Sequence, residues 1–292
     1  MFIFSLKYYE KFSRDIINNG SDQLEGNNMK IHHLRNATFV IESGENHILI
    51  DPMLCKKSEL PPFTRFRHNP RRNPTVPLPD NADRILKDVT VCLITHSQKF
   101  GIKALQHTDH LDSAGETFLK GRSIPVVTGF KDSPNLKKIG LNVEGSLSYW
   151  EPVNFLGGKI TAVPAIHGHG FINKVMANGV GFFIELPEEP SIYISGDTVY
   201  TKDVERVLKE YKPDIAVMAS GSARLDIGGP ILMPINELLS FVKDAQGKVI
   251  ANHLEALNHC PLSRLQLKME LEKNGLLLKV LIPDDGETLR NL

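Results

Sequence analysis

Side chains that bind metals are concentrated in one short segment in the first half of the chain. His107, Asp109 and His110 occur within the four residues HTDH, and His96 follows the apolar run 91–95. Neutral imidazoles and a carboxylate at the end of a strand are ligands that suit a borderline divalent ion such as zinc. The spacing therefore predicts a metal site and disfavours a merely solvated histidine-rich loop.

Three later apolar runs also end on a metal-binding side chain. These side chains are His167, Asp197 and His253, after runs that begin at residues 160, 192 and 249. Taken singly, each would more often be a cap or a hydrogen-bonded surface residue. Together they predict one constellation, because the ends of neighbouring strands meet at one edge of a sheet.

The elements that must position these side chains are predicted from hydrophobic periodicity and turn residues. Strands are expected at 30–34, 37–42 and 47–50, with a turn at 43–46. Strands then alternate with helices in both halves of the chain. The later strands are predicted at 89–95, 124–128, 159–165, 180–186, 191–195, 214–219, 248–252 and 277–282, and the helices at 113–119, 133–139, 202–211, 235–245 and 261–273.

This order of elements predicts two sheets between two helical layers, which is a four-layer αββα sandwich of the α/β class. No linker rich in proline or glycine divides residues 29–292, so we expect them to form one domain. Residues 1–28 have a weak helical pattern followed by chain breakers and are expected to be an N-terminal extension. The proline-rich segment 56–82 is expected to be an exposed loop.

Composition excludes several classes of partner. Lys plus Arg and Asp plus Glu both total 34, so no global charge attracts nucleic acid or an anionic membrane. No apolar run approaches the ~20 residues that cross a bilayer, so we expect no stable membrane insertion and a cytoplasmic protein. The three cysteines, Cys55, Cys92 and Cys260, include no CxxC pair, which disfavours both a disulfide framework and a thiolate zinc site.

The order of the motifs resembles the metallo-β-lactamase superfamily, in which the motif HxHxDH precedes a distant histidine, a distant aspartate and a terminal histidine. The resemblance extends from Met29 to the C-terminus and includes the segments ATF at 37–39 and ILIDP at 48–52. It implies that Asp51 supports the site from behind the ligands. It also implies two ions, the first held by His96, His107 and His167 and the second by Asp109, His110 and His253, with Asp197 bridging them.

Within the superfamily, the segments around Asp197, 229–233 and 252–261 are most similar to the L-ascorbate 6-phosphate lactonase-like branch. Glu255 and His259 lie close in sequence to the terminal ligand. Both are therefore candidates to contact the substrate or to support the ligands. The alternative for His259 is a loop histidine beside a helix cap.

The first motif departs from the family pattern at one point. Nine extra residues, 98–106, separate Ser97 from His107. Since loops tolerate added length at modest entropic cost, we expect the insertion to bulge outward and His107 to return beside His96. The alternatives are that His96 lies outside the site, so that only the second ion is well bound, or that the site is disabled.

The resemblance implies hydrolysis by a hydroxide that two divalent ions supply near neutral pH, with zinc favoured and manganese as the alternative. Asp109 would be the catalytic residue that receives or relays the proton. The arginines of the proline-rich loop favour a small, anionic ester, lactone or related substrate; they are Arg65, Arg67, Arg71 and Arg72. The sequence does not indicate an oligomeric state.

Two other functions stay open at this point. One is a phosphodiesterase resembling the N-acyl phosphatidylethanolamine phospholipase D branch, which also has a basic, proline-rich loop after its Asp-Pro motif. The other is a metal-binding protein without hydrolytic turnover, or a redox enzyme with one iron. Metal analysis separates them, since two zinc or manganese ions favour hydrolysis, one iron favours oxidation and none indicates a degenerate site.

Overall fold

A computed structural model describes residues 29–97, 107–176 and 178–292 of the chain. The expected N-terminal extension, 1–28, and the inserted segment 98–106 lie outside the described residues. None of the described helices is long and apolar enough to span a bilayer.

Two sets of elements make up the described fold. The strands are β1 Lys30–Arg35, β2 Thr38–Ser43, β3 Asn46–Ile50, β4 Val91–Ile94, β5 Val126–Gly129, β6 Val143–Leu147, β7 Val153–Phe155, β8 Gly158–Ala165, β9 Gly179–Glu185, β10 Ile192–Ile194, β11 Ile215–Ala219, β12 Lys248–Asn252, β13 Val280–Leu281 and β14 Thr288–Leu289. The helices are α1 Ala82–Leu86, α2 Ser113–Gly121, α3 Ser133–Lys138, α4 Phe171–Val175, α5 Lys202–Arg206, α6 Ile235–Asp244 and α7 Arg264–Lys273.

The strands form two mixed sheets of seven strands each. The first has the order β14-β1-β2-β3-β4-β5-β6, and the second has the order β13-β12-β11-β10-β9-β8-β7. Pairing is antiparallel among β14, β1, β2 and β3 and parallel from β3 to β6. In the second sheet it is antiparallel from β7 to β10 and parallel from β10 to β13. The parallel halves bring the carboxyl ends of their strands to a common edge.

Side chains alternate between the two faces of each sheet along the strands, and this alternation explains the layers of the fold. On β3, Ile48 and Ile50 pack in the core between the two sheets, whereas Leu49 packs outward among residues of the helical layer. On β10, Tyr193 points outward and stacks on Phe241 of α6, with ring centroids 6.4 Å apart. Helices therefore cover the outer face of each sheet, and the prediction of an αββα sandwich is confirmed.

Most predicted elements agree with the structure, but the C-terminal segment differs. The predicted strand 277–282 is a 3-10 turn, Leu277–Lys279, followed by the two residues of β13. The last helix begins at Arg264 rather than at residue 261, because Ser263 caps it and forms a capping box with Gln266. The short strands β6, β7 and β14 and the helices α1 and α4 were not predicted, since each has only two to five residues.

The proline-rich loop contains no helix or strand before α1 except for a single bridge between Leu60 and Asn73. Its base is held by Arg35, a fully buried side chain whose guanidinium donates to the main-chain oxygens of Met53, Cys55 and Val76. Arg35 therefore ties the chain just before the loop, at Met53 and Cys55, to Val76 within the loop.

Candidate metal centre

The seven side chains that the sequence predicts as ligands lie at the same edge of the two sheets. His96 follows β4, His167 follows β8, Asp197 follows β10 and His253 follows β12. The HTDH segment, 107–110, forms the turn that leads into α2. Both sheets therefore contribute side chains to one cluster.

These side chains divide into two groups of candidate metal ligands. Within each group, one ligand atom from every residue lies within 4.8 Å of the others. Each group therefore has the size of a site for one metal ion. The first group is His96, His107 and His167, and the second is Asp109, His110, Asp197 and His253.

The Asp197 carboxylate contacts both groups. Its Oδ2 lies 3.6 Å from His167 Nε2 in the first group and 3.0 Å from His110 Nε2 in the second. Its Oδ1 lies 3.6 Å from His253 Nε2. A carboxylate at this position can bind two ions at once.

Gly196 permits this placement of Asp197. Its φ is +60°, and a Cβ at this residue would lie 2.7 Å from the main-chain oxygen of Val180. The contact excludes a larger residue without a shift of the backbone, and the positive φ adds strain for any other residue. The glycine therefore permits the turn after β10 that brings Asp197 into the cluster.

His107 lies beside His96 despite the insertion between them. His96 Nε2 and His107 Nδ1 are 3.2 Å apart, and the His107 main-chain N donates to Ser97 O at 2.7 Å. The Asp132 carboxylate fixes Ser97 by accepting from its main-chain N and its Oγ, at 2.9 and 2.8 Å. The described residues on either side of the insertion therefore meet, while the path of residues 98–106 lies outside the described part.

The imidazoles of the first group are held neutral. Burial lowers the pKa of His96 and His107, and it lowers the pKa of His167 to about 3. A neutral imidazole has the free lone pair that binds a metal ion.

Asp51 orients one candidate ligand of the second group. Its Oδ2 accepts a hydrogen bond from His110 Nδ1 at 2.8 Å, so that the other ring nitrogen faces Asp197. Thr95 donates its main-chain N and its Oγ1 to the same carboxylate, at 2.8 and 2.7 Å. Burial alone would lower the pKa of His110, but the Asp197 and Asp51 carboxylates raise it well above its usual value. The negative field that causes this shift also favours a divalent cation.

Three buried polar atoms in the second group are left without a hydrogen-bond partner among the described residues. They are His110 Nε2, Asp197 Oδ1 and His253 Nε2, and the last two face each other. Buried polar atoms without partners cost free energy, and a metal ion among them would satisfy all three. The donor set and these three atoms fit a divalent metal.

His259 and Glu255 have different surroundings. His259 Nε2 lies 3.9 Å from Asp109 Oδ2, and its ring packs against the edge of Phe63 with the centroids 5.2 Å apart. The Glu255 carboxylate instead accepts hydrogen bonds from the main-chain N and Nη1 of Arg264, at 3.0 and 2.7 Å. His259 therefore faces the cluster, whereas the Glu255 carboxylate bonds to Arg264, the first residue of α7.

Several residues that support the ligands were not predicted. Thr95 contacts Asp51, Asp132 holds Ser97, and Asn36 donates its amide to the main-chain oxygen of Asp109. The only sequence signal is a small polar residue next to a strand end, which is common at any turn.

Comparisons with known proteins agree with the architecture of this site. Residues 30–252 match the family model of the beta-lactamase superfamily domain. The UPF0173 protein YddR of Bacillus subtilis is 31% identical over 264 residues, which are 89% of this chain and 99% of that protein. The UPF0173 metal-dependent hydrolase MJ1163 of Methanocaldococcus jannaschii is 31% identical over 221 residues, 74% of this chain and 89% of that protein.

A solved structure is also similar over most of the chain. The isothiocyanate hydrolase from Delia radicum gut bacteria superposes with a TM-score of 0.78 and 31% identity, covering 89% of this chain and 98% of that one. The predicted resemblance to metallo-β-lactamases is thus confirmed at the level of the superfamily, while the lactonase-like branch stays a prediction. The chain belongs to the beta-lactamase superfamily and, within it, to the UPF0173 metal-dependent hydrolases.

Proposed function

We propose that the protein holds two divalent ions, with zinc favoured over manganese, and hydrolyses a small-molecule substrate beside them. The observation that supports this proposal is the meeting of all seven candidate ligands at one sheet edge in two compact groups. The first ion would be held by His96, His107 and His167, the second by Asp109, His110 and His253, and Asp197 would bind both.

When bound, such a pair of ions lowers the pKa of a water molecule towards neutrality and polarises the electrophilic atom of the substrate. The chain's own residues determine where this chemistry takes place. Asp51 fixes the ring of His110 through its Nδ1. Asp109 Oδ2 lies 3.9 Å from His259 Nε2. A small shift of either side chain would bring the two atoms within hydrogen-bond distance, so His259 can accept a proton that Asp109 receives.

The proline-rich loop supplies cations for an anionic substrate group. Arg67 donates to the main-chain oxygen of Gly228, and Arg72 donates to two carbonyls of its own loop, so these two arginines stabilise the loop itself. Arg65 and Arg71 are exposed, and their guanidinium groups bond to none of the described residues. These two are the candidates to bind the anionic group of a small ester, lactone or related substrate.

Small isothiocyanates are a second substrate class, favoured by exposed apolar side chains on neighbouring segments of the surface. Phe66, Phe171 and Ile227 are 91%, 79% and 87% exposed. Their segments are neighbours, since Arg67 donates to Gly228 O and a Cβ on Gly228 would lie 2.8 Å from a side-chain atom of α4. Such an apolar surface suits the hydrocarbon part of a substrate like that of the similar isothiocyanate hydrolase, whose N=C=S carbon is an electrophile for water.

Metal analysis and a substrate panel test the proposal. We expect two zinc ions per chain and zinc-dependent hydrolysis of a lactone, a carboxylated aryl ester or an arylalkyl isothiocyanate. His167→Ala should lose the first zinc ion and most of the activity. His169→Ala is the matched control, because His169 is 60% exposed and bonds to Glu237, and it should keep both.

Other results would favour the alternatives. One bound iron without hydrolysis would support the redox function, and turnover of phosphodiesters alone would support the phosphodiesterase. Between the two substrate classes, Arg65→Ala with Arg71→Ala should raise KM only for anionic substrates. Phe66→Ala with Phe171→Ala should raise it only for isothiocyanates.

A further inference from the structure

Asn36 lies in the turn between β1 and β2 and connects ligands that come from different sheets. Its Nδ2 donates to the main-chain oxygen of Asp109 at 2.8 Å. Its own main-chain oxygen accepts from the main-chain N of His253 at 2.9 Å. Asp109 lies between two strands of the first sheet, in the turn before α2, and His253 follows a strand of the second. One buried residue therefore contacts the backbone on both sides of the cluster.

The orientation of the Asn36 amide follows from its partner. A carbonyl oxygen can only accept, so the amide NH2 must face Asp109, and Nδ2 also lies 3.7 Å from Met53 Sδ. The amide oxygen is buried and has no partner among the described residues. Leaving it unpaired costs free energy. The φ of Asn36 is +59°, a value that glycine adopts readily. Glycine would also avoid the cost of a buried, unpaired amide oxygen, so the turn alone does not explain an asparagine here.

We propose that Asn36 is a positioning residue for the second metal ion. It fixes the main chain of Asp109 and, through it, the direction of the Asp109 carboxylate. This inference rests on the proposed two-metal function. Apart from the contact with Met53, its hydrogen bonds are to two residues of the second group, and within the described residues none is to the first group. Its replacement should therefore weaken one ion selectively.

Two substitutions distinguish the role of the Asn36 side-chain amide from the role of the backbone turn. Asn36→Gly keeps the left-handed backbone and the main-chain bond to His253 and removes only the amide. Asn36→Asp keeps the size but turns a carboxylate oxygen towards the Asp109 carbonyl. We expect zinc affinity at the second group to fall about tenfold in Asn36→Gly, as for other partners of metal ligands, and further in Asn36→Asp. Affinity at the first group should stay within about twofold.

Asn81 provides a matched control elsewhere in the fold. Its Nδ2 donates to the main-chain oxygen of Gly286 at 2.9 Å, and its amide oxygen is also buried without a partner among the described residues. Asn81→Gly therefore removes the same kind of hydrogen bond at a site outside the cluster. Both zinc affinities should be unchanged.

Zinc retained per chain during dialysis against graded chelator measures the two affinities. The same titration in a His107→Ala background reports the second group alone, and thermal unfolding of the metal-free variants reports the fold. Selective loss of the second ion with a metal-free Tm like that of Asn81→Gly supports the inference. Retention equal to that of Asn81→Gly, or loss of both ions together, overturns it. If the unaltered protein binds fewer than two zinc ions, the two-metal function itself fails. The zinc content of the unaltered protein therefore tests that function separately from the role of Asn36.

Discussion

The two groups of candidate ligands differ in charge. The first consists of three imidazoles, which burial keeps neutral. The Asp197 carboxylate, which also belongs to the second group, contacts it. The second contains Asp109 and Asp197 and has Asp51 directly behind His110. A cation in the second group is therefore attracted by three buried carboxylates. A cation in the first group depends mainly on nitrogen lone pairs.

The groups also differ in how their side chains are supported. In the second, His110 is oriented by Asp51, the Asp109 backbone is held by Asn36, and His253 Nδ1 lies 3.5 Å from Cys260 Sγ. In the first, His107 is only partly buried and directly follows the inserted segment. We therefore expect the second ion to bind more tightly than the first.

Replacing Asp197 should have the largest effect, because this carboxylate contacts both groups. Asp197→Ala should lose both ions and lower kcat/KM about a hundredfold or more. The fold should survive, since the core between the sheets does not depend on this side chain. Metal content, kcat/KM and circular dichroism measure the three effects. Normal turnover with normal metal content would contradict two-metal hydrolysis.

Replacing His107 tests whether the groups are separable. His107→Ala should leave about one zinc per chain, because the ligands of the second group are untouched. Activity should fall nearly as far as in Asp197→Ala, since the water would contact a single ion. Metal analysis beside His169→Ala checks this expectation. Loss of both ions would show that the two groups bind metal as one unit.

Much of the fold follows from sequence because its strands are buried on alternating faces. The run 48–50 shows this, since its residues face the sheet core and the helical layer in turn. The C-terminal run 277–282 has a similar apolar pattern, yet it contributes only two residues to the sheet. Periodicity does not reveal that a 3-10 turn, stabilised by contacts distant in sequence, takes the first three residues.

The clustering of the candidate ligands was predictable because imidazoles and carboxylates follow apolar runs, as His167 and Asp197 do. Their supporting contacts were not predictable. Asn36 reaches Asp109 across 73 residues of chain, and Glu255, despite its place beside His253, bonds to Arg264. Such contacts depend on how the two sheets pack, which no local pattern specifies.

Replacing Asp51 should weaken the second ion without removing a ligand. Asp51→Asn keeps the size of the side chain but loses the charge that orients His110. We expect a loss of about 10- to 100-fold in zinc affinity at the second group and a much smaller loss at the first. Asp285→Asn is the control, because Asp285 also pairs with a histidine, His33, at 3.4 Å. Equal zinc titrations for the two variants would refute the role of Asp51.

The smallest effect is expected at Cys260, whose Sγ lies 3.5 Å from His253 Nδ1. A thiol is a weak hydrogen-bond partner, so Cys260→Ala should lower zinc affinity at the second group only about threefold, less than loss of a carboxylate partner does. Cys260→Ser should restore part of the loss, because its hydroxyl can also bond to the ring nitrogen. Cys92→Ala, at another buried cysteine, controls for the cavity that the shorter side chain leaves. Chelator titration of the three variants measures the difference. If Cys260→Ala weakened the first ion as much as the second, the support from Cys260 would not be specific to His253, and the contrast between the two groups would have to rest on charge alone.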